Sequence, residues 1–81
     1  MKIYIVHMFT EYYDYCTISG DDIVEIFKNE SDAIAYVKNY VAEFGFDKDV
    51  EIKEGEWYDV KNEGGIVADN VQIYYLGHDV K

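Results

Sequence analysis

His7, His78 and Cys16 are the only imidazole and thiol groups in this 81-residue chain, and their spacing fits no metal-binding pattern. Cys16, between Tyr15 and Thr17, would need a base and an orienting group to act as a nucleophile. A half-buried structural thiol is the expectation for it, and a packed core or edge residue for His7. Asp14, Asp21, Asp22 and Glu25 bracket a turn where a hard cation could sit. They lack the D-x-[DN]-x-[DN]-G run of a calcium loop, so a solvated acidic loop is expected. Asn62-Glu63-Gly64-Gly65 lacks the Lys-Ser/Thr of a phosphate loop and reads as a hairpin turn. No pair of carboxylates stands out as an acid and base, and a chain this short makes a shallow pocket. No cofactor is expected, and the residues do not point to an enzyme.

The chemistry that remains is charge. Seventeen Asp and Glu face seven basic residues, all of them lysine, for a net charge of -10. The densest run is Asp47, Asp49, Glu51, Glu54, Glu56, Asp59 and Glu63, with Lys48, Lys53 and Lys61 interspersed. On a strand, Asp47, Asp49 and Glu51 would share one face at steps of about 6.7 Å. That separation is comparable to the path between neighbouring phosphates of a nucleic acid. Trp57 and Tyr58 beside the run could anchor a partner, because interface hot spots favour aromatics. The expected partner-binding set is therefore Asp47, Asp49, Glu51, Glu54, Glu56, Trp57 and Asp59. The alternative is that these acids form a solvated face and nothing more.

The balance of charge narrows the partners. An acidic protein encounters basic surfaces quickly. It repels phosphates, which argues against direct nucleic-acid binding, and it repels anionic membrane. No apolar run approaches the ~20 residues of a membrane helix. The start, Met1-Lys2-Ile3-Tyr4-Ile5-Val6, reads as a strand and not as a signal peptide. A single cysteine permits no internal disulfide, so a cytoplasmic setting is expected.

These groups need positioning by one small domain spanning residues 1–81. The apolar share of 49% suits a folded chain, and nine Tyr can cover apolar neighbours while their hydroxyls stay wet. Residues 2–9 carry β-branched and aromatic side chains throughout and predict a central strand. Ile3, Ile5, His7 and Phe9 lie on one face, Tyr4, Val6 and Met8 on the other. Residues 11–19 read as strand or loop, Ser19-Gly20-Asp21-Asp22 as a turn and residues 23–27 as a second strand. Asn29 is a good N-cap for a helix to Phe44, with Asp32 at the capping-box position. Ala33, Val37, Tyr40, Val41 and Phe44 mark its apolar stripe, and Gly45 ends it in the usual C′ role. Val50 and Ile52 alternate with Asp49, Glu51 and Lys53 as a half-exposed strand that resumes at residues 57–60 beyond a kink at Gly55. Residues 71–76 are the last strand, and Gly77 onward a fraying tail. The sum is an α+β fold, β-β-α-β-β, with an antiparallel sheet of four to five strands and one helix across one face.

Lys2-Ile3-Tyr4-Ile5-Val6 followed by Ile26-Phe27-Lys28-Asn29-Glu30-Ser31-Asp32-Ala33 resembles a pattern in short uncharacterised proteins of phages and mobile elements. There a strand rich in Tyr and Val precedes a strand ending in Phe, then a capped helix. The resemblance covers residues 2–37, and residues 10–19 and the acidic second half depart from it. By class, the acidic excess is similar to small phage-encoded inhibitors of host defence, including anti-CRISPR proteins. That resemblance implies a protein that occupies the basic channel of a nucleic-acid-handling host protein, working in the host cytosol. The competing expectation is a structural or protein-interaction module, a homodimer pairing sheet edges or Tyr faces.

Overall fold

The computed structural model of the chain describes residues 1–12, 18–47, 49–61 and 70–80. Strand β1 runs Lys2–Tyr12, β2 Ile18–Phe27, helix α1 Glu30–Phe44, β3 Tyr58–Asp59 and β4 Asn70–Asp79. They form one four-stranded sheet in the order β2-β1-β4-β3, antiparallel at every pairing. The β-branched and aromatic β1 is central, paired along its length with β2 and with β4.

Alternation along β1 divides the sheet into two faces. Tyr4, Val6 and Met8 point to the helix, opposite Gly77, Tyr75 and Ile73 of β4. Val6, Ile73 and Val37 are fully buried there, with Ala33, Val41 and Tyr75 beside them. The helix stripe thus packs on one face of the sheet as expected, the face of Tyr4, Val6 and Met8, and each buried Val contributes about 1.5–3 kcal/mol of transfer free energy. Tyr40 and Phe44, also in the stripe, pack half-buried at its margin, their rings 4.9 Å apart.

Both helix ends differ from expectation. Asn29 occupies the N-cap in extended conformation, but its side chain makes no cap bond. Its amide instead donates to the Asp32 carboxylate at 3.3 Å. Gly45 is extended (φ -79°, ψ 162°), not left-handed. Glycine is needed there for a different reason: its N–H donates to the Val41 carbonyl at 2.7 Å, so close that a Cβ would strike that oxygen and Val41 Cγ1.

Three further expectations are corrected. Ser19–Asp22 is not a turn but strand, in register with Glu11, Thr10, Phe9 and Met8. The long ladder with β1 outweighs the local turn preference of Ser, Gly and Asp. Gly77, His78 and Asp79 are not a tail, because they pair with Tyr4, Ile3 and Lys2, and Val80 N–H donates to the Met1 carbonyl at 2.7 Å. Residues 50–53 are not a strand. Ile52 is buried and Val50 half-buried as their alternation suggests, but the adjoining edge of β4 is occupied. Gly55, at φ 81°, donates its N–H to the Tyr75 carbonyl at 3.0 Å, and Glu54 Oε2 accepts from Gly77 N–H at 2.7 Å. The expected turn at Asn62–Gly65, together with Asp14, Cys16, Lys48 and Glu63, lies outside the described residues.

Candidate functional site: the open face of the sheet

Among the described residues, no helix lies over the second face of the sheet. Cross-strand partners share a face, so Ile3, Ile5, His7 and Phe9 of β1 stand beside His78, Leu76, Tyr74 and Gln72 of β4. On the other flank, the register of β2 shifts between Val6 and His7. Val6 pairs with Glu25 and His7 with Ile23, so Val24 is the extra residue of a bulge. Ile23 and Ile26 are three positions apart and would otherwise face opposite ways. The bulge puts both on the open face, where they are 59% and 51% exposed.

A row of rings crosses the middle of this face. His7 and Tyr74 stack with centroids 4.9 Å apart and planes within 7°. Trp57, just before β3, stacks on the other side of Tyr74 at 4.5 Å and 2°, and Phe9 meets it edge-tilted at 4.9 Å. Trp57 remains 45% exposed. A polar contact adjoins the rings: the Tyr74 hydroxyl donates to Asp21 Oδ2 at 2.5 Å, and Asp21 Oδ1 is 3.5 Å from His7 Nδ1. Burial, then the Asp21 hydrogen bond and charge, pushes the Tyr74 phenol up to about 12. His7 Nε2 is buried without a hydrogen-bond partner.

Acids border the rings. Among the described strand residues, the open-face positions hold the carboxylates Glu11, Asp21 and Asp59, the two histidines and the Tyr74 phenol, with no lysine. Asn70 donates to Glu11 Oε1 at 3.1 Å and to Gln72 Oε1 at 3.4 Å, and Gln72 donates to Asp59 Oδ1 at 3.0 Å. This chain of amides fixes one end of the acidic border.

The expected partner-binding residues sit in one exposed segment, but not as a row at strand spacing. Asp47 Oδ1 accepts from Asp49 N–H at 3.2 Å. Glu54 holds the edge of β4. Glu56 Oε2 accepts from the Tyr58 hydroxyl at 3.1 Å, which also bonds the Glu51 carbonyl at 2.9 Å and receives Lys53 N–H at 2.7 Å. Asp47, Asp49, Glu51, Glu54 and Glu56 thus follow the path of a tethered loop. The structure does bring Asp47, Trp57 and Asp59 together, around a cleft of about 190 Å³ shared with Phe46, Val50, Val41 and Tyr58.

Ile23, Ile26, Asp21 and Tyr74 were not part of the expected set. The available signal was β1 itself: a strand equally apolar on both faces has something to cover on each, while the sequence offers one helix. No protein-family model, curated protein or solved structure matches the chain. Among the described residues, no group of three or more His, Cys, Asp or Glu could hold a metal ion, and no helix is long and apolar enough to cross a membrane.

Proposed function

We propose that the protein is a non-catalytic binding module that docks the open face of its sheet against a basic protein surface. The observation that carries the reading is an exposed apolar and aromatic centre, Ile23, Ile26 and Trp57, with carboxylates and no lysine among the described strand residues of that face. Apolar contact supplies affinity at about 25 cal/mol per Å² removed from water, and stacked aromatics are favoured anchors. The border selects the partner's sign and speeds encounter. A second copy of the chain is the poorer occupant, because it would bring another net charge of -10 against the first.

The basic channel of a nucleic-acid-handling protein is a partner of this kind, which makes inhibition by occupying that channel, as in small acidic phage-encoded inhibitors, the specific form of the proposal. Charge favours it. The row of carboxylates at strand spacing no longer does, so the contribution of Asp49 and Glu51 is one of field and not of register.

The test is capture of partners from lysate of the organism carrying the gene, at about 50 mM and about 500 mM salt, where surface charge is screened. Wild type is compared with an Ile23→Glu/Ile26→Glu variant whose far-UV circular dichroism is unchanged. A partner retained at low salt, released at high salt and lost by the variant, with the same pattern after purification and with DNA as a competitor, supports the reading. A partner held equally by the variant, or a chain that sediments as a dimer through this face, overturns it.

A further inference from the structure

We infer that the cleft beside Trp57 receives one arginine side chain of the partner. The inference rests on the proposal that the partner is basic and names the group it presents. The cleft lies where the end of α1, the segment after it and β3 converge. Val41 and Tyr58 are its buried parts, and Phe46 and Trp57 its exposed rings, 70% and 45% accessible. Asp47 and Asp59 supply its charge, and none of the described residues lining it is a lysine.

Size decides against a larger ligand. A volume of about 190 Å³ is below the roughly 300–1,000 Å³ of sites for drug-sized molecules, and matches a single long side chain. Aromatic rings attract a cation through their quadrupole, and two carboxylates add a direct charge interaction. Guanidinium fits this combination better than ammonium. It is planar, stacks on rings, is more weakly hydrated and offers several N–H donors to carboxylates. Its aliphatic stem suits Val50 and Phe46. The carboxylates are also held in advance, since Oδ1 of Asp47 accepts from Asp49 N–H and Oδ1 of Asp59 from the Gln72 amide, which lowers the ordering cost of binding.

Trp57 is the only tryptophan of the chain, so its fluorescence reports on this cleft. The experiment titrates the intact protein with N-acetyl-arginine amide, its lysine counterpart and its neutral citrulline isostere, following Trp57 emission and the backbone amide shifts of Asp47, Val50 and Asp59. Arginine should bind saturably with a dissociation constant on the order of 1 mM, as ligands of that size do. Lysine and citrulline should bind at least about tenfold more weakly, and Asp47→Asn and Asp59→Asn should each weaken arginine binding several-fold. Equal binding of citrulline, tighter binding of lysine, or no saturable change overturns the inference. The two proposals fail separately: Ile23→Glu/Ile26→Glu tests the sheet face and leaves the cleft lining intact, whereas the arginine titration tests the cleft without any protein partner.

Discussion

The hydroxyl of Tyr74 reaches from β4 across the top of β1 to donate to Asp21 on β2. One short bond thereby links β4 to β2 across β1, with His7 of the intervening strand beside the same carboxylate. Tyr75, the next residue, points to the other face and donates to Glu30 at the start of α1 at 3.1 Å. Adjacent tyrosines thus bind two different carboxylates, one within the sheet and one between sheet and helix.

This pair sets the behaviour in alkali. Burial first, then hydrogen bonding to Asp21 and Glu30 and their charges, raises both phenols to about 12, against about 10 in the unfolded chain. A raised folded value favours the protonated form, so the stabilisation is complete below about pH 10 and is lost as pH rises through about 12. Denaturant midpoints should be flat from about pH 8 to 10 and fall steeply above. Asp21→Asn should lower the pH at which Tyr74 ionises. Tyrosinate absorbance checks the ionisation, and an unchanged titration in Asp21→Asn would refute the coupling.

Val37 is fully buried between α1 and the sheet. Val37→Ala should cost about 1–3 kcal/mol through lost burial and a residual cavity. Val37→Asp should leave no folded population, because an unpaired buried charge costs more than a small domain's margin. Urea titration of the first variant and circular dichroism of the second measure this, and a folded Val37→Asp protein would mean that the helix is not docked as described.

The Glu54 carboxylate stands in for a missing strand at the edge of β4. Glu54→Ala should speed hydrogen exchange of the Gly77 amide about tenfold while changing global stability by only about 1 kcal/mol, since the site is exposed. Exchange of the Val6 and Ile73 amides in the core of the sheet should stay as in wild type. Equal acceleration at all three would show that Glu54 supports the whole fold and not one edge.

The helix was legible because its apolar residues repeat the helical period, and both central strands because β-branched and aromatic side chains run through them. Ala33, Val37 and Val41 announce one face of a helix, and residues 2–9 announce a strand. The extent of the strands was not legible: Gly20 and Gly77 have the composition of turns and are strand because a long neighbour pairs with them. Alternation at Val50 and Ile52 reported which side chains go inward, but not whether a sheet edge was available. Trp57 and Asp59 stood out by aromatic and acidic character, and the structure places both at one cleft. The open face was not, because a single-residue bulge at Val24 decides that Ile23 and Ile26 point the same way, and periodicity assigns them to opposite faces.

His7 is where the open face carries a cost. Its ring is stacked on Tyr74 and only 13% exposed, yet Nε2 has no partner and Nδ1 meets Asp21 at 3.5 Å, beyond a good hydrogen bond. An unsatisfied buried polar atom costs roughly 1–3 kcal/mol, while stacking and burial depend on the ring and not on its nitrogens. His7→Phe keeps the ring, removes the orphaned atom and leaves Asp21 its bond from Tyr74. It should therefore stabilise the domain by about 1 kcal/mol in urea, with the Trp57 emission maximum unchanged because the Tyr74–Trp57 stack is untouched. His7→Ala should destabilise by about 2 kcal/mol through the gap left in the row. Destabilisation by His7→Phe comparable to that of His7→Ala would mean that the imidazole nitrogens, and not the ring's shape, hold the open face together.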